Sequence, residues 1–106
     1  MTAQVRLFPA AHDRLDEIYA YTRETWGEAQ AEQYLRGLAA AFAAIARREV
    51  VWRRMPAEFG QAGWYARHER HVIYWKRLAD GAVGIVTILH QRMHQLDRFR
   101  EDAGEV

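Results

Sequence analysis

Seven side chains in this sequence are of the kinds that phosphodiester cleavage uses: Arg67, His68, Arg70, His71, His90, Arg92 and His94. Cutting RNA needs a group to take the 2′-hydroxyl proton, a group to protonate the leaving oxygen, and cations for the charge on phosphorus. Imidazole changes charge near neutral pH, and guanidinium grips phosphate in a bidentate way. Within the seven, Arg67, His90, Arg92 and His94 are the set that would carry such a reaction. His90 and His94 also have the four-residue spacing of a helical metal pair. No Cys accompanies them, no Glu follows His90 directly, and His90 closes an apolar strand, where that spacing does not converge. No metal and no cofactor is expected. His68 and His71 flank a short connection and read as hydrogen-bonded or solvated turn histidines.

Charge is the second chemical feature. Residues 47–77 carry eight Lys or Arg against three acids, while the segments on either side are each net −2. A basic middle between acidic flanks suits an anionic partner or plain solvation. Arg47, Arg48, Arg53 and Arg54 lie in it without the interleaved aromatics of a base-stacking strand. They fit an acidic protein segment equally well. Trp26, Tyr34 and Phe42 read as core beneath helices.

The elements that must position these groups centre on His71 to Met93, HVIYWKRLADGAVGIVTILHQRM. Two β-branched and aromatic runs around Asp80-Gly81 predict a hairpin whose turn needs positive φ. The second run is apolar on both faces, with Val83, Ile85 and Leu89 on one and Val86 and Ile88 on the other. A strand buried on both faces belongs inside its sheet. Ahead of it, Val5 to Phe8 alternates as a short strand, and Pro9 suits the first turn of a helix. Leu15, Ile18, Tyr19, Thr22 and Trp26 share one helical face. Gly27 fits a helix end. A second helix over 28–46 carries Ala31, Tyr34, Leu35, Leu38, Ala41, Phe42 and Ile45 as its stripe. Residues 49–62 read as a loop anchored by Trp52 and Phe59. Residues 63–68 read as a strand, QLDRFRED after Met93 as a short helix, and the final AGEV as frayed. The expected fold is α+β, in β-α-α-β-β-β order. A helical hairpin packs on one face of a small, mostly antiparallel sheet, and a short C-terminal helix or tail follows.

The bulk composition is consistent with this. The 106 residues form one domain, 1–106, that is 50% hydrophobic and 27% charged, the balance of a soluble globular chain. No apolar run is long enough to cross a membrane, and no membrane partner is expected. The absence of Cys excludes a disulfide framework and a thiolate metal site. MTAQVRLFPA lacks the pattern of a secretion signal, so the expected compartment is the cytoplasm.

Several local signatures occur together. Leu15-x-x-Ile18-Tyr19-x-Tyr21 is followed by Trp26-Gly27-x-x-Gln30-Ala31-x-x-Tyr34. Later come His71-Val72-Ile73-Tyr74-Trp75 and Ile85-Val86-Thr87-Ile88-Leu89-His90-Gln91-Arg92-Met93. In that order the sequence resembles the ParE branch of the RelE/ParE toxins of bacterial toxin–antitoxin modules, over about residues 4 to 99. The resemblance implies a toxin neutralised by a cognate ParD-like antitoxin. It also implies DNA gyrase as target, blocked replication, and contact with operator DNA only through the antitoxin. Target contacts are then expected at Ile88, His90, Arg92, Met93, Arg98 and Arg100. Antitoxin contacts are expected at Ile18, Tyr34, Leu38, Arg47, Arg53 and Arg54. The RelE branch implies instead a ribosome-dependent mRNA endonuclease, and a third possibility is an inactive relative. RelE-type nucleases commonly place a Tyr or His near the C-terminus; the last tyrosine here is Tyr74, which leaves His90 and His94. Thr87 stands where many ParE-like sequences have Arg.

Overall fold

A computed structural model describes residues 4–104. Glu105 and Val106, the end of the expected tail, lie outside the described residues. Strand β1 (Val5–Leu7) leads into helix α1 (Pro9–Trp26) and helix α2 (Glu28–Ala46). Strands β2 (Arg53–Arg54), β3 (Trp64–His68), β4 (His71–Arg77) and β5 (Val83–His90) follow, and helix α3 (Gln95–Ala103) completes the chain. The five strands are ordered β1-β5-β4-β3-β2, with β1 parallel to β5 and every other pair antiparallel. The segment read as a loop over 49–62 contributes the two-residue edge strand β2 and a single 3-10 turn, Ala57–Phe59. Its two aromatic anchors hold: Phe59 is buried and Trp52 packs against the core.

The β4–β5 hairpin is the centre of the sheet, and two details differ from the sequence reading. Its turn is longer than a two-residue Asp-Gly loop. Gly81 N–H donates to Leu78 C=O, Leu78 N–H donates to Ala82 C=O, and only Gly81 takes positive φ, at +86°. This is the three-residue arrangement, in which a left-handed glycine follows a β-turn. The second detail is a β-bulge. Tyr74 faces Thr87 while Trp75 faces Ile85, so Val86 is an extra residue in β5. One extra residue reverses the alternation beyond it. Ile88 therefore joins Val83 and Ile85 on the face under α1 and α2, and Leu89 joins Val86 on the opposite face.

Both faces of the sheet are covered. Under the helical hairpin lie Ile18, Leu38, Phe42, Ile45, Ile73 and Trp75. On the opposite face α3 and the 3-10 turn enclose Phe59, Tyr74 and Phe99, whose ring centroids stand 5.2 to 5.7 Å apart. Trp26 departs from the expected core. It is 53% exposed because α1 runs on past the residues that meet the sheet.

Helix α2 ends in a paired-carbonyl cap. Arg48 N–H donates to Ile45 C=O and Glu49 N–H to Ala44 C=O. The first of those donors takes left-handed φ and is usually glycine. Here it is Arg48, at φ 61°. Its guanidinium lies 3.6 Å from the centre of the Trp52 ring, whose N–H donates to Ile45 C=O at 3.0 Å.

Candidate functional site

A groove of about 830 Å³ opens where α1, the start of α2, the β3–β4 turn and the end of β5 converge. The amphipathic helices bury one stripe each on the sheet, which leaves the C-terminal turns of α1 standing above the β5 end. Ile18, Tyr21, Thr22 and Trp26 form one wall, Gln30 and Tyr34 the back, and Arg70, His71, His90, Arg92 and Met93 the other side. Tyr21 is 66% exposed, so this wall presents two large aromatic surfaces, Tyr21 and Trp26, to solvent. Basic residues Arg14, Arg70 and Arg92 and acids Glu17 and Glu69 share the lining.

The deepest polar contact joins α2 to β4. Tyr34 Oη lies 2.6 Å from His71 Nδ1, and the His71 and His90 rings meet edge to face at 5.3 Å. Burial, and after it the charges of His90, His68 and Arg70, hold the His71 imidazole down at about 4. Neutral His71 and the Tyr34 hydroxyl share this hydrogen bond, its direction set by which imidazole nitrogen carries the proton. Burial, then the negative Glu69, raises the Tyr34 phenol. His90 is also shifted down, by desolvation and then by Arg92 and Arg70. Its Nδ1 accepts the Arg92 N–H at 3.1 Å. At neutral pH the groove holds two uncharged imidazoles beside fixed guanidiniums.

A stability prediction follows from His71. Its folded pKa of about 4 lies below the unfolded value of 6.5. Between those values the unfolded chain binds more protons, so stability is full above about pH 6.5 and falls toward pH 4. By pH 5 the loss should be about 2 kcal/mol. His71→Gln should flatten most of that loss. Urea unfolding midpoints at pH 7.5 and pH 5 measure it, and equal pH dependence in both proteins would refute the assignment.

The structure separates the residues expected to act together. Of the nuclease set, only His90 and Arg92 line the groove. Arg67 donates to Glu69 C=O and to the Gln91 side chain. His94 caps α3, with its ring nitrogen accepting Asp97 N–H at 3.4 Å. Of the target set, His90, Arg92 and Met93 line the groove, but Ile88 is 1% exposed and forms its floor. Arg98 pairs with Glu101, and Arg100 donates to Glu58 C=O beside the 3-10 turn, away from the groove lining. Of the antitoxin set, Ile18 and Tyr34 are in the groove. Leu38 is fully buried beneath α2. Arg47 pairs with Glu49 at the far end of α2, and Arg53 and Arg54 lie on the edge strand β2.

One polar network has no counterpart in the sequence reading. Arg14 grips Asp102 through two hydrogen bonds, 2.8 and 3.1 Å, and Thr87 Oγ donates to the same carboxylate at 2.7 Å. Thr87, on β5, thus helps to fasten α3 to the sheet.

A family described as "ParE toxin of type II toxin-antitoxin system, parDE" matches residues 5–95. Toxin ParE1 of Mycobacterium tuberculosis is 33% identical over 93 residues, covering 88% of this chain and 94% of that protein. Toxin ParE of Escherichia coli is 34% identical over 101 residues, covering 95% of this chain and 96% of that protein. Among solved structures, a chain of "Chromosomal ParDE TA system from P. aeruginosa" superposes with a TM-score of 0.66 at 13% identity. It covers 84% of this chain and 96% of that one, a likeness of fold.

Proposed function

The chain belongs to the ParE toxin family of type II toxin–antitoxin systems, and on that premise we propose that it acts by binding DNA gyrase and is silenced by a ParD-like antitoxin that occupies the same groove. The proposal places the protein in the cytoplasm, with both partners. The observation that carries it is the convergence of two expected surfaces. Ile18 and Tyr34, read as antitoxin contacts, and His90, Arg92 and Met93, read as target contacts, line one cleft. An antitoxin segment seated there would cover the target-binding residues directly. An amphipathic helix laid into a groove needs apolar anchors with charges at the rim, and Tyr21, Trp26 and Met93 with Arg70 and Arg92 supply both.

The groove favours binding over RNA cleavage. A nuclease needs a protonated acid for the leaving oxygen. Both imidazoles here are shifted toward the neutral form, and His94 and Arg67 stand outside.

The test uses purified toxin in a gyrase supercoiling assay and, in parallel, on translating ribosomes. Expected are lost supercoiling, intact mRNA, and recovery when the protein encoded beside it is added in equal amount. Codon-positioned mRNA cuts with normal supercoiling would reject the reading. Growth unaffected by expression without the antitoxin would reject toxicity itself.

A further inference from the structure

An arginine cluster lies away from the groove. At the C-terminal end of α2, Trp52 carries one guanidinium, Arg48, at 3.6 Å from its ring centre and a second, Arg77, at 5.6 Å. Arg54 pairs with Trp64, whose ring lies 5.0 Å from Trp52, and so joins the same face of the sheet. Arg48, Arg54 and Arg77 are all exposed, and among the described residues none of them has a carboxylate partner. The acid nearest in sequence, Glu49, is already held by Arg47. Cations on a protein surface are usually met by acids or left mobile. Arg48 and Arg77 are held over the Trp52 indole and Arg54 is placed beside them by its strand, and among the described residues no hydrogen bond engages their guanidiniums. Arg48 moreover occupies a left-handed position that glycine fills without strain.

We propose that this Trp52-centred arginine face binds the phosphate backbone of duplex DNA, without reading sequence. Stacked guanidiniums keep their planes fixed and offer bidentate donors to phosphate oxygens. Arg54 and Arg77 lie two strands and two residues apart, roughly 12 Å at the backbone, so they meet different phosphates. The cations come from the turn that caps α2, from β2 and from β4, and form a broad surface. A duplex presents its charges over such a surface, whereas a bound peptide needs a cleft for its side chains. The free edge of β2, beside exposed Val51, is where an acidic strand would add instead, and that alternative is one arm of the test. Because the toxin is proposed to act on an enzyme that holds DNA, this face would add affinity for the DNA-bound enzyme. Measurement on DNA alone keeps the two proposals separable.

The experiment is fluorescence anisotropy of a labelled mixed-sequence 20-bp duplex with the full-length protein, from 50 to 200 mM KCl. Binding should weaken with salt, with a log–log slope of about −2.7 for three phosphate contacts. Arg48→Gly with Arg77→Gln should reduce affinity at least tenfold and flatten the slope by about 2. Arg23→Gln with Arg36→Gln removes the same charge elsewhere, Arg36 being about 18 Å along α2 from Arg48. That control should stay within twofold. Circular dichroism and thermal unfolding establish that both double variants fold. No binding at 50 mM KCl, or equal losses in the two double variants, would overturn the proposal. So would an oligo-glutamate peptide that binds the wild type more tightly than the duplex and is lost in the Arg48→Gly/Arg77→Gln protein.

Discussion

Asp102→Ala is expected to destabilise the folded domain by about 3 kcal/mol, the cost of breaking a mostly buried ion pair from one side. Asp102 and Arg14 side chains are only 12% and 15% exposed, and Thr87 is fully buried. Removing the carboxylate leaves the Thr87 hydroxyl without its acceptor, and leaves the Arg14 guanidinium with only the exposed Glu17 carboxylate, at 3.1 Å, in a place water reaches poorly. The loss should appear as a fall in Tm of roughly 10–20 °C. It should also loosen α3, since Asp102 sits at the end of that helix and its partners lie on α1 and β5. Two comparisons give the prediction its meaning. Glu101→Ala breaks an exposed pair with Arg98 and should change stability by less than about 0.5 kcal/mol. Arg14→Met, Thr87→Val and Asp102→Leu together remove the buried members of the network, leave the exposed Glu17 to solvent, and should recover most of the lost stability. Urea unfolding of the variants decides it. A loss below 1 kcal/mol for Asp102→Ala would mean that the packing of Phe99 and Leu96 and the Gln95 hydrogen bonds hold α3 in place without the network.

That network also marks the boundary of what the sequence can disclose. The helices were readable because their stripes repeat every three to four residues and Pro9 and Gly27 punctuate them; the α2 span of 28–46 matches. The hairpin was readable from its two β-branched runs. The bulge at Val86 was not, because a strand apolar on both faces carries no alternation for an extra residue to interrupt. Trp26 continued the α1 stripe, but periodicity says which face a residue is on, not whether the sheet extends that far. Leu38 shows the converse: a stripe residue well inside the helix lies fully in the core. The groove itself depends on pairs distant in sequence. Tyr34 and His71 are 37 residues apart, and Arg14 and Asp102 are 88. Nothing local encodes such pairs, so the sequence shows each side chain without its partner.

Trp26→Ala is expected to weaken antitoxin binding by about 30- to 1000-fold, the 2–4 kcal/mol typical of an interface hot spot. The free toxin should lose little stability, because half of the indole already faces water. An aromatic ring left exposed beside Tyr21 on a groove wall has no role in this chain's core. It can be desolvated only by a partner, and its burial there would recover the large contact area that such rings provide. Phe42→Ala is the contrasting variant. Phe42 packs in the core beneath α2, and its truncation should cost about 3–5 kcal/mol of stability. Any binding loss in that variant should follow the fraction unfolded rather than the interface. Calorimetric titration with the antitoxin, alongside thermal unfolding of each free variant, separates the two cases. If Trp26→Ala binds within twofold of the wild type, the antitoxin does not use this wall, and the shared-groove account of neutralisation fails. If its binding collapses while gyrase inhibition by the free toxin persists, the antitoxin and the target use different parts of the groove. Neutralisation then works by overlap at the His90–Met93 side rather than by competition for the same anchor.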